Sequence, residues 1–166
     1  MRFNPHRTAI LCTVLGFACI ASLRAQALQK LDSASPDSAI SIPKAQLLQP
    51  DELNDLLRQS GEAKPLVLQV GSHVLFDEAH IPGSEYAGPG SQPAGRKLLT
   101  GRVAALPRNT LIVLYCGCCP WERCPNIAPA FAALHALGFT NVKALYIASN
   151  FGADWVDKGF PVERGH

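Results

Sequence analysis

Four cysteines and one arginine lie within the segment YCGCCPWERCP, residues 115–125, called the cysteine loop below. A cysteine acts as a nucleophile or as a metal ligand when it is ionised to the thiolate. Disulfides between cysteines this close in sequence would close very small loops, which constrain the unfolded chain only weakly. The segment therefore indicates reactive sulfur chemistry in preference to a disulfide framework.

The cysteine loop stands between a predicted strand and a predicted helix. TLIVLY (110–115) is the most hydrophobic strand segment, and IAPAFAALHALGF (127–139) predicts a helix with Asn126 as N-cap and Gly138 as terminator. Loop amides and a helix N-terminus favour an anion, and Arg123 adds a full positive charge. We expect these groups to lower the pKa of the active sulfur, so that no histidine base is needed.

Apolar strands alternate with helices along the rest of the chain. Strands are predicted at 45–49, 65–70, 110–115 and 142–147, and helices at 50–61, 101–106, 127–139 and within 150–165, with a long loop containing one helical turn over 72–95. The alternation predicts an α/β fold with a central, mainly parallel sheet flanked by helices. In such folds the carboxyl ends of the strands carry the chemistry, and the cysteine loop occupies that position.

The first 27 residues predict a secretory signal peptide. Basic MRFNPHR is followed by an apolar run of 16 residues and by AQA at 25–27, which suits a signal peptidase. The run is shorter than the ~20 residues of a spanning helix, and an uncleaved anchor is the alternative. Residues 28–43 predict a flexible tether and 44–166 a single domain. We therefore expect a periplasmic or secreted protein in an oxidising compartment.

Loss of the signal segment changes both the cysteine count and the charge. Cys12 and Cys19 leave with it, so that the four remaining cysteines all belong to the cysteine loop. Removing Arg2, Arg7 and Arg24 from the 15 Lys+Arg leaves 12 against 13 Asp+Glu, a net charge of −1. A domain this close to neutrality has no electrostatic reason to bind nucleic acid or an anionic membrane. We expect neither as a partner.

Three further stretches resemble the rhodanese-like domains. FDEAHIPGS (76–84) is similar to their E-x-G-H-I-P-G-A signature, LPRNTLIVLYC (106–116) to the strand before their active cysteine, and 130–163 to their closing segment. Together the matches run in the family's order over nearly all of the predicted domain. The resemblance implies a rhodanese-like fold and the transfer of sulfane sulfur from a donor such as thiosulfate to a thiol acceptor, through a cysteine persulfide. It implies a small donor, a small or protein thiol as acceptor, no cofactor and no metal.

The resemblance also implies roles for residues of the cysteine loop. The catalytic residues would be Cys116 or Cys118, together with Arg123. Position directly after the strand favours Cys116, whereas Cys118 keeps the four-residue spacing to Arg123 that is usual in the family. The substrate-binding loop would comprise Gly117, Cys119, Pro120, Trp121 and Glu122, and the candidate resolving thiols are Cys119 and Cys124. The enzyme hypothesis expects the loop amides and the guanidinium to hold an anionic sulfur together, and it would be abandoned if the guanidinium pointed to solvent and the sulfurs were buried among apolar neighbours.

The chain departs from the family pattern in the segment LQVGS (68–72). Family members commonly carry Asp-x-Arg there, whereas Gln69 and Gly71 remove both charges. The departure favours a different arrangement of polar groups under the site. It also keeps open a rhodanese-like module that binds without turnover.

Two other kinds of sulfur site remain open from the residues alone. Thiolates are good ligands for Zn²⁺, Cu⁺ or an iron–sulfur cluster, and Cys116 and Cys119 form a C-x-x-C pair. No second pair follows at a finger-like spacing, and the adjacent Cys118 and Cys119 cannot easily face one ion. A C-x-x-C-P sequence at a helix start is also typical of thiol–disulfide exchange.

Overall fold

The computed structural model describes residues 42–59 and 64–165. The predicted signal segment 1–27 and residues 28–41 of the predicted tether lie outside the described residues. Within the described part of the chain, no helix is both long enough and apolar enough to cross a membrane.

Five parallel strands form one sheet in the order β1-β5-β4-β2-β3. They are β1 Leu47–Leu48, β2 Leu66–Gln69, β3 Glu85–Tyr86, β4 Ile112–Tyr115 and β5 Val142–Leu145. The central strand β4 is buried along its whole length, as its uninterrupted apolar sequence predicts. The sheet confirms the predicted α/β fold with a parallel centre.

Helices cover both faces of this sheet. They are α1 Pro50–Arg58, α2 His73–Glu78, α3 Pro93–Val103 and α4 Ile127–Ala136, with 3-10 turns at Lys44–Gln46 and Trp121–Arg123 and a π-helical turn at Gly152–Val156. Successive strand residues point to opposite faces, so that Leu114 enters the cluster under α3 and α4, while Val113 enters the cluster that contains Trp155. Two apolar cores therefore hold the central strand in place from both sides.

The segment 72–95 is more regular than the sequence predicts. It contains α2, β3 and the first turn of α3, because β3 gains backbone hydrogen bonds from its neighbour β2 and Pro93 fits the first turn of a helix. His80 holds this segment in place: its Nδ1 lies 2.8 Å from the Phe76 carbonyl oxygen, and its backbone forms an antiparallel bridge with Glu163. The histidine of the HIPG sequence therefore has a structural role in this segment.

Candidate active site

The cysteine loop leaves the sheet at its central strand. Cys116 is the first residue after β4 and is 4% exposed. The strands on either side of β4, β5 and β2, run in the same direction. The segments that follow all three strands therefore emerge at one edge of the sheet, where a parallel α/β fold carries its chemistry.

Gly117 shapes the start of the loop. Its φ of +74° lies in the left-handed region, and a Cβ there would stand 2.7 Å from the Cβ of Phe151. Its carbonyl oxygen accepts a hydrogen bond of 3.0 Å from the Phe151 N–H, and the Trp121 N–H donates to the Ala148 carbonyl oxygen at 3.2 Å. These contacts tie the loop to the segment after β5. Only glycine fits at position 117, because φ is positive and a side chain there would clash with Phe151.

The loop brings the sulfur atoms into contact. Cys116 Sγ lies 3.1 Å from Cys118 Sγ, which lies 3.2 Å from Cys119 Sγ. Cys116 is buried, Cys118 is exposed, and Cys119 and Cys124 are half-buried; all four are free thiols. A series of touching sulfurs thus runs from the buried end of β4 to the surface.

Asn126 supplies a hydrogen-bond donor to these sulfurs. Its Nδ2 lies 3.3 Å from Cys116 Sγ and 3.9 Å from Cys118 Sγ. Its Oδ1 accepts hydrogen bonds from the Ser91 N–H at 3.1 Å and the Ser91 hydroxyl at 2.8 Å, which fixes the orientation of the amide. The residue occupies the predicted N-cap position of α4, but its side chain makes no capping hydrogen bond. The sequence analysis therefore missed its contact with the sulfurs.

The end of β2 and the segment after it also contact Cys116. Gln69 is buried, accepts a hydrogen bond from the Gly71 N–H at 3.0 Å and donates to the Cys116 carbonyl oxygen at 3.3 Å. A Cβ on Gly71 would stand 2.8 Å from Cys116 Sγ. A neutral amide here holds the backbone where the rhodanese-like pattern has a charged pair, and the glycine lets the backbone pack closely against Cys116.

Cys116 and Cys124 interact, and the interaction shifts their pKa values in opposite directions. A hydrogen bond from the Cys116 thiol and the N–H groups of Asn126 and Ile127 lower the pKa of Cys124 to about 6. The hydrogen bond to Cys124, together with burial, raises the pKa of Cys116. Burial and the contact with Cys118 raise the pKa of Cys119 to about 12. Cys124 is therefore the most acidic of these three cysteines, whereas the sequence predicts the thiolate at the strand end.

The outer part of the loop has a different character. Arg123 lies on the exposed 3-10 turn Trp121–Arg123, and its guanidinium forms no hydrogen bond or ion pair with the residues that the structure describes. Glu122 is likewise exposed. Trp121 packs its ring against Tyr146, with 5.2 Å between centroids. The structure thus brings the four cysteines together but leaves the charged group of Arg123 outside their hydrogen-bond network.

A cleft of about 420 Å³ opens onto the buried end of the sulfur series. Cys116, Gly117 and Cys118 line one side of it, and side chains of α2 and of the Phe151 region line the rest. Glu78 is the one charged side chain among the described residues of this lining. The cleft can admit a small molecule to the sulfur, and any anion in it depends on amide donors for stabilisation.

The described residues contain no group of three or more His, Cys, Asp or Glu side chains arranged to hold a metal ion. Cys116 touches Cys118, Cys118 touches Cys119, and Cys124 interacts with both Cys116 and Cys119.

Solved structures share this fold at low sequence identity. The Alr3790 protein of Anabaena sp. is 22% identical with a TM-score of 0.55, and the match covers 71% of this chain and 92% of that one. The rhodanese-like domain from the same Anabaena protein, in solution, is 22% identical with a TM-score of 0.53, covering 72% and 79%. The BH2092 protein of Bacillus halodurans is 20% identical with a TM-score of 0.56, covering 87% and 86%. No protein-family model and no curated protein matches the chain.

These likenesses agree with the strand order, the parallel sheet and the helices on both faces. The described domain therefore has the rhodanese-like fold that its sequence resemblance implies.

Proposed function

We propose that the protein is a sulfurtransferase that carries sulfane sulfur as a persulfide on Cys116. One observation carries the proposal: Cys116 Sγ lines the cleft of about 420 Å³ and lies 3.3 Å from the Asn126 amide. A persulfide is anionic and one sulfur atom larger than a thiolate, so it needs both a donor and room. The site offers the two together at this sulfur.

Proton transfer from Cys116 to Cys124 generates the nucleophile. The Cys116 thiol donates a hydrogen bond to the Cys124 sulfur, and Cys124 has the lower pKa of the two. Transfer of that proton leaves a thiolate on Cys116 and a neutral thiol on Cys124, with no change in net charge. Cys124 therefore acts as the local base, whereas the sequence predicts that loop amides and Arg123 lower the pKa of the nucleophile without a base.

The reaction balances as two displacements. The Cys116 thiolate attacks the outer sulfur of thiosulfate, the sulfur–sulfur bond of the donor breaks, and sulfite leaves with the electron pair. An acceptor thiolate then attacks the terminal sulfur of the persulfide and restores the Cys116 thiolate. The acceptor is a small thiol or a protein thiol.

Amide donors take the place that the sequence analysis gave to the guanidinium. The Asn126 side chain lies against Cys116 Sγ and the N–H groups at the start of α4 point at Cys124, while Arg123 is exposed. Preorganised neutral donors stabilise a developing anion because they need no reorganisation during the reaction. The enzyme hypothesis thus loses the expected guanidinium but retains the amide donors. The sulfurs are not buried among apolar neighbours, because Cys118 is exposed to solution.

Intact-mass analysis tests the proposal. Fully reduced protein incubated with thiosulfate and freed of excess donor should gain one sulfur atom, about 32 Da, or release an equivalent of sulfide, and should liberate sulfite in either case. Cys116→Ser should do none of these, and Ser149→Ala serves as the matched control because Ser149 is exposed and does not line the cleft. Sulfite release by Cys116→Ser at the wild-type rate would disprove the assignment.

We propose further that this chemistry takes place outside the cytoplasm. The support is the predicted signal segment 1–27, which is typical of proteins exported to an oxidising compartment. N-terminal sequencing of protein recovered from the periplasm or the medium should begin at Leu28. An intact N-terminus in a membrane fraction would instead support an anchor.

A further inference from the structure

We infer that Cys118 is a resolving thiol, which attacks the Cys116 persulfide, forms a Cys116–Cys118 disulfide and releases the carried sulfur as hydrosulfide. The inference rests on the proposed function, because it requires a persulfide on Cys116. It adds a second outcome to sulfur transfer. When no acceptor is present, Cys116 and Cys118 supply the two electrons that reduce the carried sulfane sulfur to sulfide.

The distance between the two sulfurs carries the inference. Cys118 Sγ stands 3.1 Å from Cys116 Sγ, and a disulfide requires about 2.05 Å, so the sulfurs need approach by only about 1 Å. The positive φ of Gly117 turns the chain between them so that both side chains face the same cleft. The bond can thus form within the loop.

The other two thiols are less well placed for this step. Cys119 touches Cys118 and the Arg123 carbonyl oxygen, so it stands one contact further from the loaded sulfur. Cys124 contacts Cys116 but does not line the cleft into which the second sulfur of a persulfide would project. Cys118 alone combines contact with Cys116, a position on the cleft and exposure to solvent.

The step balances in atoms and electrons. The Cys118 sulfur attacks the inner sulfur of the persulfide, Cys116 Sγ, while the bond from Cys116 Sγ to the carried sulfur breaks. The carried sulfur leaves with the bonding pair, takes the proton of the Cys118 thiol and departs as hydrosulfide. Two cysteines are oxidised by one electron each, and the sulfane sulfur is reduced by two.

Turnover then requires a dithiol reductant from solution. One thiolate of the reductant attacks the Cys118 sulfur, which is exposed, and the Cys116 thiolate leaves. The second thiol of the reductant closes its own disulfide and frees Cys118, so that both protein thiols are restored. The buried Cys116 sulfur, 4% exposed, is a poor target for the same attack.

Sulfite and sulfide measured in a single turnover test the inference. Reduced protein without free thiol is mixed with thiosulfate; sulfite reports loading and sulfide reports resolution. Wild type should release about one equivalent of each and lose about 2 Da, the mass of two hydrogens, on forming its disulfide. Cys118→Ser should release sulfite, retain a gain of about 32 Da and lower sulfide release at least about tenfold.

Cys119→Ser and Cys124→Ser extend the test to the remaining thiols. Cys119→Ser should still release sulfide, and Cys124→Ser should release it in proportion to whatever sulfur it loads. The inference is overturned if Cys118→Ser releases sulfide as wild type does, if it fails to load, or if one of the other two variants retains the persulfide in its place. Wild type that releases sulfite but keeps the added sulfur also overturns it, whereas the absence of sulfite from every protein would overturn the proposed function.

Discussion

The cysteine loop has an inner part, Cys116 and Gly117 with the neighbouring Asn126, and an outer part, the turn Trp121–Arg123. The rest of the molecule holds the inner part more firmly than the outer part. At the inner part, Cys116 is 4% exposed, Gly117 is tied to Phe151, and the Asn126 amide is oriented by Ser91. At the outer part, Arg123 is exposed on a 3-10 turn. A group that stabilises charge must be preorganised. The comparison therefore assigns charge stabilisation to fixed neutral amides and not to the formal positive charge.

A side chain at Gly71, which packs against Cys116, should lower the rate of sulfur loading more than any other substitution considered below. In Gly71→Ala the new Cβ would stand 2.8 Å from Cys116 Sγ, so the sulfur must shift out of its place. Because a displacement of about 1 Å at a reacting atom can cost about 100-fold, we expect sulfite release to fall by that order. Single-turnover kinetics with thiosulfate measures the change.

Gly101→Ala is the matched control for that substitution. Gly101 lies in α3 with open space around it, so alanine should be tolerated there and should favour the helix by about 1 kcal/mol. Thermal unfolding of both variants separates a lost fold from a lost site. A Gly71→Ala protein that folds and loads sulfur at the wild-type rate would show that the close packing of Gly71 against Cys116 does not position the reacting sulfur.

The pH dependence should reveal the shared proton of the inner part. Cys124 has a pKa of about 6, lowered first by its hydrogen bond with Cys116 and then by the amides of Asn126 and Ile127. The pair is therefore charged above about pH 6 and neutral below it, so sulfur loading should fall as the pH drops through this value. Thiosulfate stays ionised over the range, so the inflection belongs to the protein. Initial rates of sulfite release from pH 4.5 to 9.5, an interval of about 5 units around the pKa, measure it.

Cys124→Ser should move the inflection. Without the partner that accepts its proton, Cys116 must ionise by itself, and its apparent pKa should rise towards or above the ~8.5 of a free thiol. The rate at neutral pH should then fall by about 10- to 30-fold. An unchanged inflection in this variant would assign the titration to another group.

The Asn126 amide should have an intermediate effect. Asn126→Ala removes the donor 3.3 Å from Cys116 Sγ, and loss of a hydrogen bond to an anion costs about 1.5–3 kcal/mol, or about 10- to 100-fold. We expect a fall near the lower limit, because the Cys118 N–H, which lowers the pKa of Cys116, remains. Asn141→Ala, which removes an exposed amide bonded to the Asn109 carbonyl oxygen, is the control. Equal rates in both variants would contradict a role for Asn126 at the sulfur.

The same comparison shows what the sequence could and could not predict. The apolar run of β4 predicts a strand that is buried on both faces, and such a strand lies at the centre of a parallel sheet. The cysteine that follows the run shows where the loop begins. The direction of a side chain on a short turn depends on tertiary contacts. Asn126 was interpreted as a helix cap, yet Ser91, 35 positions away, turns its amide towards the sulfurs. Likewise β3, two residues long, exists through its pairing with β2.

Removing the positive charge of Arg123 should change the rate of sulfur transfer least. Arg123→Gln takes away an exposed guanidinium that makes no ion pair with the described residues, so kcat/KM with thiosulfate should fall by less than about twofold. Because the residual attraction of an exposed charge for a dianion is screened, the difference should shrink further as the salt concentration rises. A fall of more than about tenfold that persists in high salt would mean that the guanidinium turns inward when the donor binds. The outer turn would then belong to the charge-stabilising part of the loop, and the distinction between its two parts would hold only for the resting protein.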